Sequence, residues 1–127
     1  MTEEPMIAIV DDDEAVRSSL ASLVRSLGYR VRTYGSGPDF LRDTLDREPA
    51  CMISDIQMPA MTGDELQARL HSAGRRFPII FLTAFPTEAV KRRVLDAGAQ
   101  CFLNKPPDGD TIIRCIEEAL NGSRSLH

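Results

Sequence analysis

The sequence predicts an α/β sandwich in which five β–α units build one parallel sheet with helices on both faces. Short apolar runs without polar alternation recur at nearly even spacing, which is typical of strands covered on both sides. Segments with helical periodicity lie between these runs, and the connections are short, as right-handed crossovers between parallel strands allow. At 127 residues, 43% hydrophobic and 27% charged, the chain has the size and composition of one globular domain.

Five segments are predicted to be strands. Four of them are continuous apolar runs, which indicates strands inside the sheet. The remaining one alternates polar and apolar residues, which indicates a half-exposed edge strand. In chain order the predicted strands are MIAIV (6–10), the alternating RVRTY (30–34), CMIS (51–54), PIIFL (78–82) and CFL (101–103).

Apolar stripes at helical spacing define the first and the last helix. The first stripe is followed by Gly28 and the last by Asn121-Gly122, and such residues favour the C-terminal end of a helix. The two stripes consist of Val16, Leu20, Leu23, Val24 and Leu27, and of Ile112, Ile113, Ile116, Ala119 and Leu120.

Capping signals mark the boundaries of the other helices. Two pairs of residues have the spacing of a capping box, in which each side chain accepts a hydrogen bond from the backbone of the other residue. Single polar residues at two further positions are expected to be N-caps. The predicted caps are Ser36 with Asp39, Thr62 with Glu65, Thr87 and Asp108 at helix starts, and Gly74 and Gly98 at helix ends.

Composition excludes several classes of protein. A net charge of −4 and a pI near 5.1 give no reason to expect direct nucleic-acid binding by this domain. No apolar run approaches the length of about 18 residues that a membrane span needs, and the N-terminal MTEEPM lacks the pattern of a signal peptide, so a cytoplasmic protein is expected. Cys51, Cys101 and Cys115 lack metal-ligand spacing and fall on apolar segments, so all three are predicted to be reduced core residues.

Acidic, hydroxyl and amine side chains follow the predicted strands, at the sheet edge where open α/β sheets bind ligands. The aspartates at 11–13 follow the first strand, Asp55 the third, Thr83 the fourth and Lys105 the fifth. A divalent cation and the Lys105 ammonium would both relieve repulsion among carboxylates in one crevice, and an all-oxygen donor set favours Mg²⁺. Such a constellation is equipped for phosphoryl transfer to a carboxylate.

Five motifs in the correct order resemble the receiver domain of response regulators, over a core of about residues 6–121. The resemblance implies a single receiver domain, 1–127, with residues 122–127 as a tail or the start of a linker. It also implies a flavodoxin-like (βα)₅ three-layer sandwich with strand order 2-1-3-4-5. The first and last motifs most resemble the FixJ/NarL-like transcription regulators. The motifs are VDDDEAVR (10–17), SDIQMPAMTGDEL (54–66), LTA (82–84), DAGA (96–99) and FLNKP (102–106).

The resemblance also implies the phosphoacceptor and its metal site. Asp55 matches the aspartate that accepts the phosphoryl group. Asp11 and Asp12 match the acidic pair that holds Mg²⁺ together with Asp55, with Asp12 expected to bind directly and Asp11 partly through water. The backbone carbonyl of Gln57 would complete the protein ligands. Asp13 is not needed for this site and is predicted to cap the following helix.

Further residues are matched to the switch and to the lifetime of the phosphoryl group. Thr83 matches the switch hydroxyl, Phe102 the switch aromatic residue and Lys105 the phosphoryl-binding lysine. The bond from Lys105 to Pro106 is expected to be cis. Gln57 and Phe85 occupy the two positions that tune phosphorylation lifetime, and Phe85 is predicted to shield the acyl phosphate from water. The sequence departs from the family pattern at residue 107, where proline replaces the more usual phenylalanine.

By this resemblance, the chain accepts a phosphoryl group from a histidine kinase and is not a turnover enzyme. Phosphorylation is expected to change the face formed by helix 4, strand 5 and helix 5, which would control homodimerisation. The mixed charges that suit this face are Lys91, Arg92, Arg93, Arg114, Glu117 and Glu118. The output would be transcription regulation by a domain outside this chain.

Two alternatives stay open. The chain could be a stand-alone receiver that acts through protein–protein interaction. It could also be a small aspartyl-phosphate phosphatase of the haloacid-dehalogenase type, with Asp11 as nucleophile and Asp13 as general acid. The short chain, Ala15 in place of the expected Thr or Val, and the lack of an acidic pair after Lys105 speak against the phosphatase.

Overall fold

Five strands and five helices alternate along residues 4–122, the part of the chain that the computed structural model describes. The strands form one parallel sheet in the order β2-β1-β3-β4-β5, so the predicted fold class and strand order are confirmed. Residues 123–127 of the predicted tail lie outside the described residues. The elements are β1 (Met6–Val10), α1 (Glu14–Ser26), β2 (Arg30–Tyr34), α2 (Gly37–Arg42), β3 (Cys51–Asp55), α3 (Gly63–Ser72), β4 (Ile79–Thr83), α4 (Glu88–Asp96), β5 (Cys101–Asn104) and α5 (Gly109–Gly122).

Burial of the strands follows their position in the sheet. Every residue of β3 and β4 is buried, whereas β2 at the sheet edge is mostly exposed, as its alternating sequence predicts. Alternate residues of the inner strands point to opposite faces, so Ile7 and Ile9 enter one core and Ala8 and Val10 the other. The sheet therefore has a separate apolar core on each face.

The two cores divide the helices between the faces of the sheet. The apolar stripes of α1 and α5 pack on one side, with Leu20 and Ile116 among their buried residues. Helices α2, α3 and α4 pack on the other side through residues such as Phe40, Leu66 and Val94. This arrangement is the predicted three-layer sandwich. Within residues 4–122, none of the helices combines the length and the apolar character that crossing a membrane requires.

Most predicted caps are present. The Thr62–Glu65 capping box is complete, and Ser36 and Thr87 accept hydrogen bonds at the starts of α2 and α4. The predicted Ser36–Asp39 capping box is only half formed: Ser36 accepts from the N–H of Asp39, but the Asp39 carboxylate bonds Arg42 instead of the backbone of Ser36. The glycines at 28, 74 and 98 have positive φ angles after α1, α3 and α4. Helix boundaries could therefore be predicted from local hydrogen-bonding chemistry.

The prediction for the cysteines is correct for Cys51 and wrong for the other two. Cys51 is buried and free. Cys101 of β5 and Cys115 of α5 form a disulfide, with their Cα atoms 6.5 Å apart. Helix α5 packs on the sheet beside β5 and brings the two side chains within bonding distance. Their sequence spacing contains no signal of this contact, because it depends on how the helix packs.

Candidate functional site

The polar residues predicted for the site lie at one edge of the sheet. Parallel pairing aligns Val10 of β1 with Ser54 of β3, so Asp11 and Asp55 follow neighbouring positions. Thr83 ends β4, and its backbone carbonyl accepts a hydrogen bond from the N–H of Lys105, which follows β5 (2.8 Å). The strand order thus places residues from four β–α units around one crevice.

Three carboxylates converge in this crevice. Asp11, Asp12 and Asp55 each offer one oxygen, and these oxygens all lie within 4.8 Å of one another. Asp11 and Asp55 are only 1% and 5% exposed, whereas Asp12 is exposed to solvent. The Lys105 ammonium lies 2.8 Å from Asp11 Oδ2 and 3.2 Å from Asp55 Oδ2. One ammonium therefore pairs with two of the three converging acids.

The pKa shifts reflect this imbalance of charge. Burial raises the pKa of the Asp55 carboxyl, and the negative charge of Asp11 raises it further, against the opposing effect of Lys105. Burial tends to lower the pKa of Lys105, but its hydrogen bonds to Asp11 and Asp55 and their charges outweigh that tendency and raise it. Lys105 is thus held as an ammonium, and the site still carries more negative than positive charge.

The donor set fits a hard divalent cation. Carboxylate oxygens are the ligands that Mg²⁺ prefers, and the surplus negative charge of the three aspartates gives a cation a clear electrostatic advantage. The backbone carbonyl of Gln57, two residues beyond Asp55, stays a predicted fourth ligand. The division between a direct Asp12 contact and a partly water-mediated Asp11 contact also stays a prediction.

The acidic loop after β1 is held by several hydrogen bonds. Asp11 Oδ1 accepts from the backbone N–H of Asp13 (2.9 Å), and Asp13 itself accepts from the N–H groups of Ala15 and Val16. Asp13 is the N-cap of α1, as predicted. Its carboxylate is therefore engaged by the start of the helix, which speaks against Asp13 as the general acid of the alternative phosphatase. Arg17 Nη1 donates to the backbone carbonyl of Asp11 (2.7 Å).

Two residues of this scaffold were not identified from the sequence. Arg17 was one of them, and its contact depends on the path of the loop before α1. The other is Gly63, where a Cβ atom would lie 2.2 Å from the backbone oxygen of Asp55. The sequence did contain a signal for Gly63: a glycine directly follows the Thr62 cap, and glycine allows two backbone segments to approach closely.

The Thr83 side chain is buried and hydrogen-bonded to the loop after β3. Its hydroxyl donates to Gln57 Oε1 (2.5 Å) and accepts from the N–H of Phe85 (3.0 Å). Gln57 Nε2 in turn donates to the Phe85 carbonyl (3.4 Å). The Phe85 side chain is 72% exposed, and its shielding of an acyl phosphate stays a prediction.

The predicted switch face lies beside this site. Phe102 is partly buried and packs against the core formed with α2, α3 and α4. A groove of about 490 Å³ between α4 and β5 is lined in part by Lys91, Phe102 and Asn104. All six charged residues predicted for the face are exposed, and Arg93 pairs with Asp64 of α3. The Lys105–Pro106 bond is cis, as predicted.

Comparisons with known proteins agree with this geometry. The family model of the response regulator receiver domain matches residues 7–117. The response regulator protein TmoT of Ectopseudomonas mendocina is 38% identical over 118 residues, which are 93% of this chain and 54% of TmoT. The transcriptional regulatory protein FixJ of Azorhizobium caulinodans is 32% identical over 123 residues, or 97% of this chain and 58% of FixJ.

Solved structures give the same result. The crystal structure of FixJ-N has a TM-score of 0.84 and 32% sequence identity, and the match covers 94% of this chain and 96% of FixJ-N. The response regulator StyR has a TM-score of 0.87 and 35% identity, with 96% of this chain and 63% of StyR covered. The chain spans about half the length of the curated relatives it matches. From its sequence, fold and site, the chain belongs to the receiver-domain family of two-component response regulators.

Proposed function

We propose that this receiver accepts a phosphoryl group on Asp55 from a phosphohistidine of a histidine kinase. The observation that carries the proposal is the crevice in which Asp55 shares one ammonium with Asp11 and lies beside Asp12. Mg²⁺ bound there would neutralise charge on the transferred group. The domain supplies its own phosphorylation chemistry but turns over no external substrate, so it is not an enzyme in that sense.

The residues of the crevice divide the chemistry among them. A carboxylate oxygen of Asp55 attacks phosphorus, the bond from phosphorus to the histidine nitrogen breaks, and the imidazole leaves with that electron pair. Lys105, held as an ammonium, binds a phosphoryl oxygen as charge develops. Asp11, Asp12, Asp55 and the Gln57 carbonyl would hold the cation. Thr83 then donates a hydrogen bond from its hydroxyl to another phosphoryl oxygen.

Incubation with Mg²⁺ and acetyl phosphate tests the acceptor. We expect one phosphoryl group per chain, labile to hydroxylamine, by intact mass spectrometry. Asp55→Asn should abolish it. Asp13→Asn is the matched control, because Asp13 caps α1, and asparagine also caps helices. Phosphorylation of the Asp55→Asn variant, multiple turnover with label on Asp11, or no Mg²⁺-dependent label on the unsubstituted chain would contradict the proposal.

The output follows from the same chemistry. Phosphorylation adds nearly two negative charges at the end of β3, and movement of Thr83 would open space for Phe102 to turn. The α4–β5–α5 face, with its exposed charges of both signs, would then control homodimerisation. Molar mass by light scattering should rise with acetyl phosphate for the unsubstituted chain and stay constant for Asp55→Asn. A phosphodonor-dependent dimer of Asp55→Asn would refute this route.

The wider role is proposed by analogy with the relatives. FixJ is a transcriptional regulatory protein, and this chain matches about half of it. We place the chain in cytoplasmic transcription control, with an output domain outside these residues, no direct nucleic-acid binding by the receiver and no membrane contact. A stand-alone receiver is the alternative. The full-length gene product distinguishes them.

A further inference from the structure

A closed ring of three hydrogen bonds joins the loop after β3 to the loop after β4. The Thr83 hydroxyl donates to Gln57 Oε1 (2.5 Å), Gln57 Nε2 donates to the Phe85 carbonyl (3.4 Å), and the Phe85 N–H donates to Thr83 Oγ1 (3.0 Å). The ring connects a buried switch hydroxyl to an exposed glutamine side chain. No step of the proposed phosphoryl transfer uses this glutamine side chain, although the sequence predicts that Gln57 tunes the lifetime of the phosphoryl group.

The ring fixes where the Thr83 proton points. Thr83 Oγ1 accepts from Phe85 N–H, so its own proton is directed to a different partner. Gln57 Nε2 faces the Phe85 carbonyl, an acceptor, and this contact orients the amide so that Oε1 faces Thr83. The single hydroxyl proton of Thr83 is therefore donated to Gln57.

We infer that the side chain of Gln57 is a positioning residue that holds Thr83 in the unphosphorylated state. The inference rests on the proposed function, in which a phosphoryl group is carried by Asp55. Phosphoryl oxygens only accept hydrogen bonds, and a threonine hydroxyl has one proton to donate. Thr83 must leave Gln57 before it can bind a phosphoryl oxygen, so Gln57 opposes the switch. This role belongs to the side chain and is separate from the backbone carbonyl predicted to bind Mg²⁺.

A double-mutant cycle tests the inference. Gln57→Met keeps the length of the side chain and removes both hydrogen-bonding groups, and Thr83→Val keeps the shape of threonine without its hydroxyl. The measured quantity is the affinity for beryllofluoride with Mg²⁺ present, a mimic of a carboxyl-bound phosphoryl group, by titration calorimetry. Gln57→Met should tighten binding about twofold to tenfold, the range that one neutral hydrogen bond supplies. In the Thr83→Val background it should change nothing.

A second background and a second measurement guard against misfolding, since Thr83 is fully buried. Thr83→Ser keeps the hydroxyl, so Gln57→Met should tighten binding there as in the unsubstituted chain. The side-chain amide signals of Gln57 in nitrogen-edited NMR should shift with beryllofluoride when residue 83 has a hydroxyl. In Thr83→Val the shift should be smaller, because only the effect of the ions bound next to Gln57 is left.

Each contrary outcome has a distinct meaning. An equal effect of Gln57→Met with and without the hydroxyl would overturn the inference, because Gln57 would then act through Phe85 instead. Unchanged or weaker binding by Gln57→Met would overturn it as well. If the unsubstituted chain binds no beryllofluoride and takes no phosphoryl group, the proposed function fails and the inference fails with it.

Discussion

Two clusters on the sheet combine acids with a basic side chain, yet the electrostatic result is opposite. In the site cluster, Lys105 lies 2.8 Å from Asp11 and 3.2 Å from Asp55. In the edge cluster on β2, Arg32 lies 3.0 Å from Asp43, and the Tyr34 hydroxyl donates to the same carboxylate (2.5 Å). The pKa of Asp55 is raised, whereas the pKa of Asp43 is lowered.

Donor count and burial account for the difference. Asp43 receives two side-chain donors, and the hydrogen bond from Tyr34 is the largest cause of its lowered pKa. Burial opposes that effect, and the hydrogen bond and charge of Arg32 lower the pKa further. Tyr34 responds in the opposite sense: burial first, then Asp43, raises its pKa to about 12. At the site, by contrast, buried carboxylates share one ammonium. A carboxylate whose charge is compensated by nearby donors is typical of a structural contact. Carboxylates that outnumber the nearby cationic groups indicate a binding site for a metal ion.

The largest expected effect comes from removing the cation of each cluster. Lys105→Met leaves two buried carboxylates without their ammonium, and breaking such a pair costs on the order of 3 kcal/mol of unfolding free energy. Arg32→Met should have a much smaller effect, because the Arg32 side chain is half exposed and Asp43 keeps its bond to Tyr34. Urea unfolding at neutral pH with a chelator measures both.

Mg²⁺ sharpens this first prediction. Added Mg²⁺ should narrow the stability gap between Lys105→Met and the unsubstituted chain, since it neutralises the same carboxylates. It should leave the gap of Arg32→Met unchanged, because that variant and the unsubstituted chain gain equally. Equal losses in the two variants would show that the site carries no excess of charge, which would remove the electrostatic basis of the cation site.

The contrast between the clusters also shows what the sequence can predict. Strand ends in an open parallel sheet meet at one edge, so the convergence of Asp11, Asp55 and Lys105 was predictable from apolar runs and topology. Asp13 was separable from the other acids because an N-cap has a local signature. The fold was predictable for the same reason: periodicity and caps are local properties of the chain.

Contacts made by side chains across elements were not predictable in the same way. The edge cluster joins β2 to Asp43 at the end of α2, and no pattern in the sequence marks that pairing. The bond between Cys101 and Cys115 depends on how α5 packs on the sheet. The amide of Gln57 reaches Thr83 across 26 residues of sequence, through the shapes of two loops. Such contacts follow from packing, which one sequence does not specify locally.

Mg²⁺ should stabilise the protein through the site cluster alone. A ligand that binds only the folded state adds about 2.7 kcal/mol at a concentration 100 times its dissociation constant. Asp12→Asn should weaken this gain, because it removes one of the three converging carboxylates, and Asp12 is exposed enough for the fold to tolerate the change. Asp43→Asn is the control and should keep the full gain. Thermal unfolding across a Mg²⁺ titration measures the difference, and an equal loss in both variants would place the ion elsewhere.

The pH dependence of the two clusters should have opposite signs in metal-free protein. Because the pKa of Asp55 is raised above its ordinary 3.8, the folded state binds its proton more tightly and loses stability as pH rises above 3.8 through the folded value. Between these two pH values, the unfolding free energy of Asp55→Asn should therefore rise relative to that of the unsubstituted chain. Because the pKa of Asp43 is lowered from 3.8, its contribution is present above 3.8 and is lost as pH falls through the folded value. The loss of unfolding free energy in Asp43→Asn should therefore shrink as pH falls below 3.8. Parallel curves for the two variants in urea unfolding would contradict the assignment.

The smallest expected effect is that of Tyr34→Phe, which removes one donor from the edge cluster and keeps the ring. That ring packs edge-on against Phe40, with centroids 5.1 Å apart, so the apolar contact survives. The lost hydrogen bond should reduce the unfolding free energy by about 1 kcal/mol.

With its main donor gone in Tyr34→Phe, the pKa of Asp43 should rise toward its ordinary value, as followed by carbon-detected NMR titration of the carboxyl group. Beryllofluoride affinity should not change, since the removed hydroxyl bonds Asp43 and the backbone bond from Asp11 N–H to the Tyr34 carbonyl is preserved. An unmoved Asp43 pKa would contradict the leading role of the Tyr34 hydrogen bond, and the surplus of acids at the site, not the number of donors at the edge, would then account for the opposite pKa shifts.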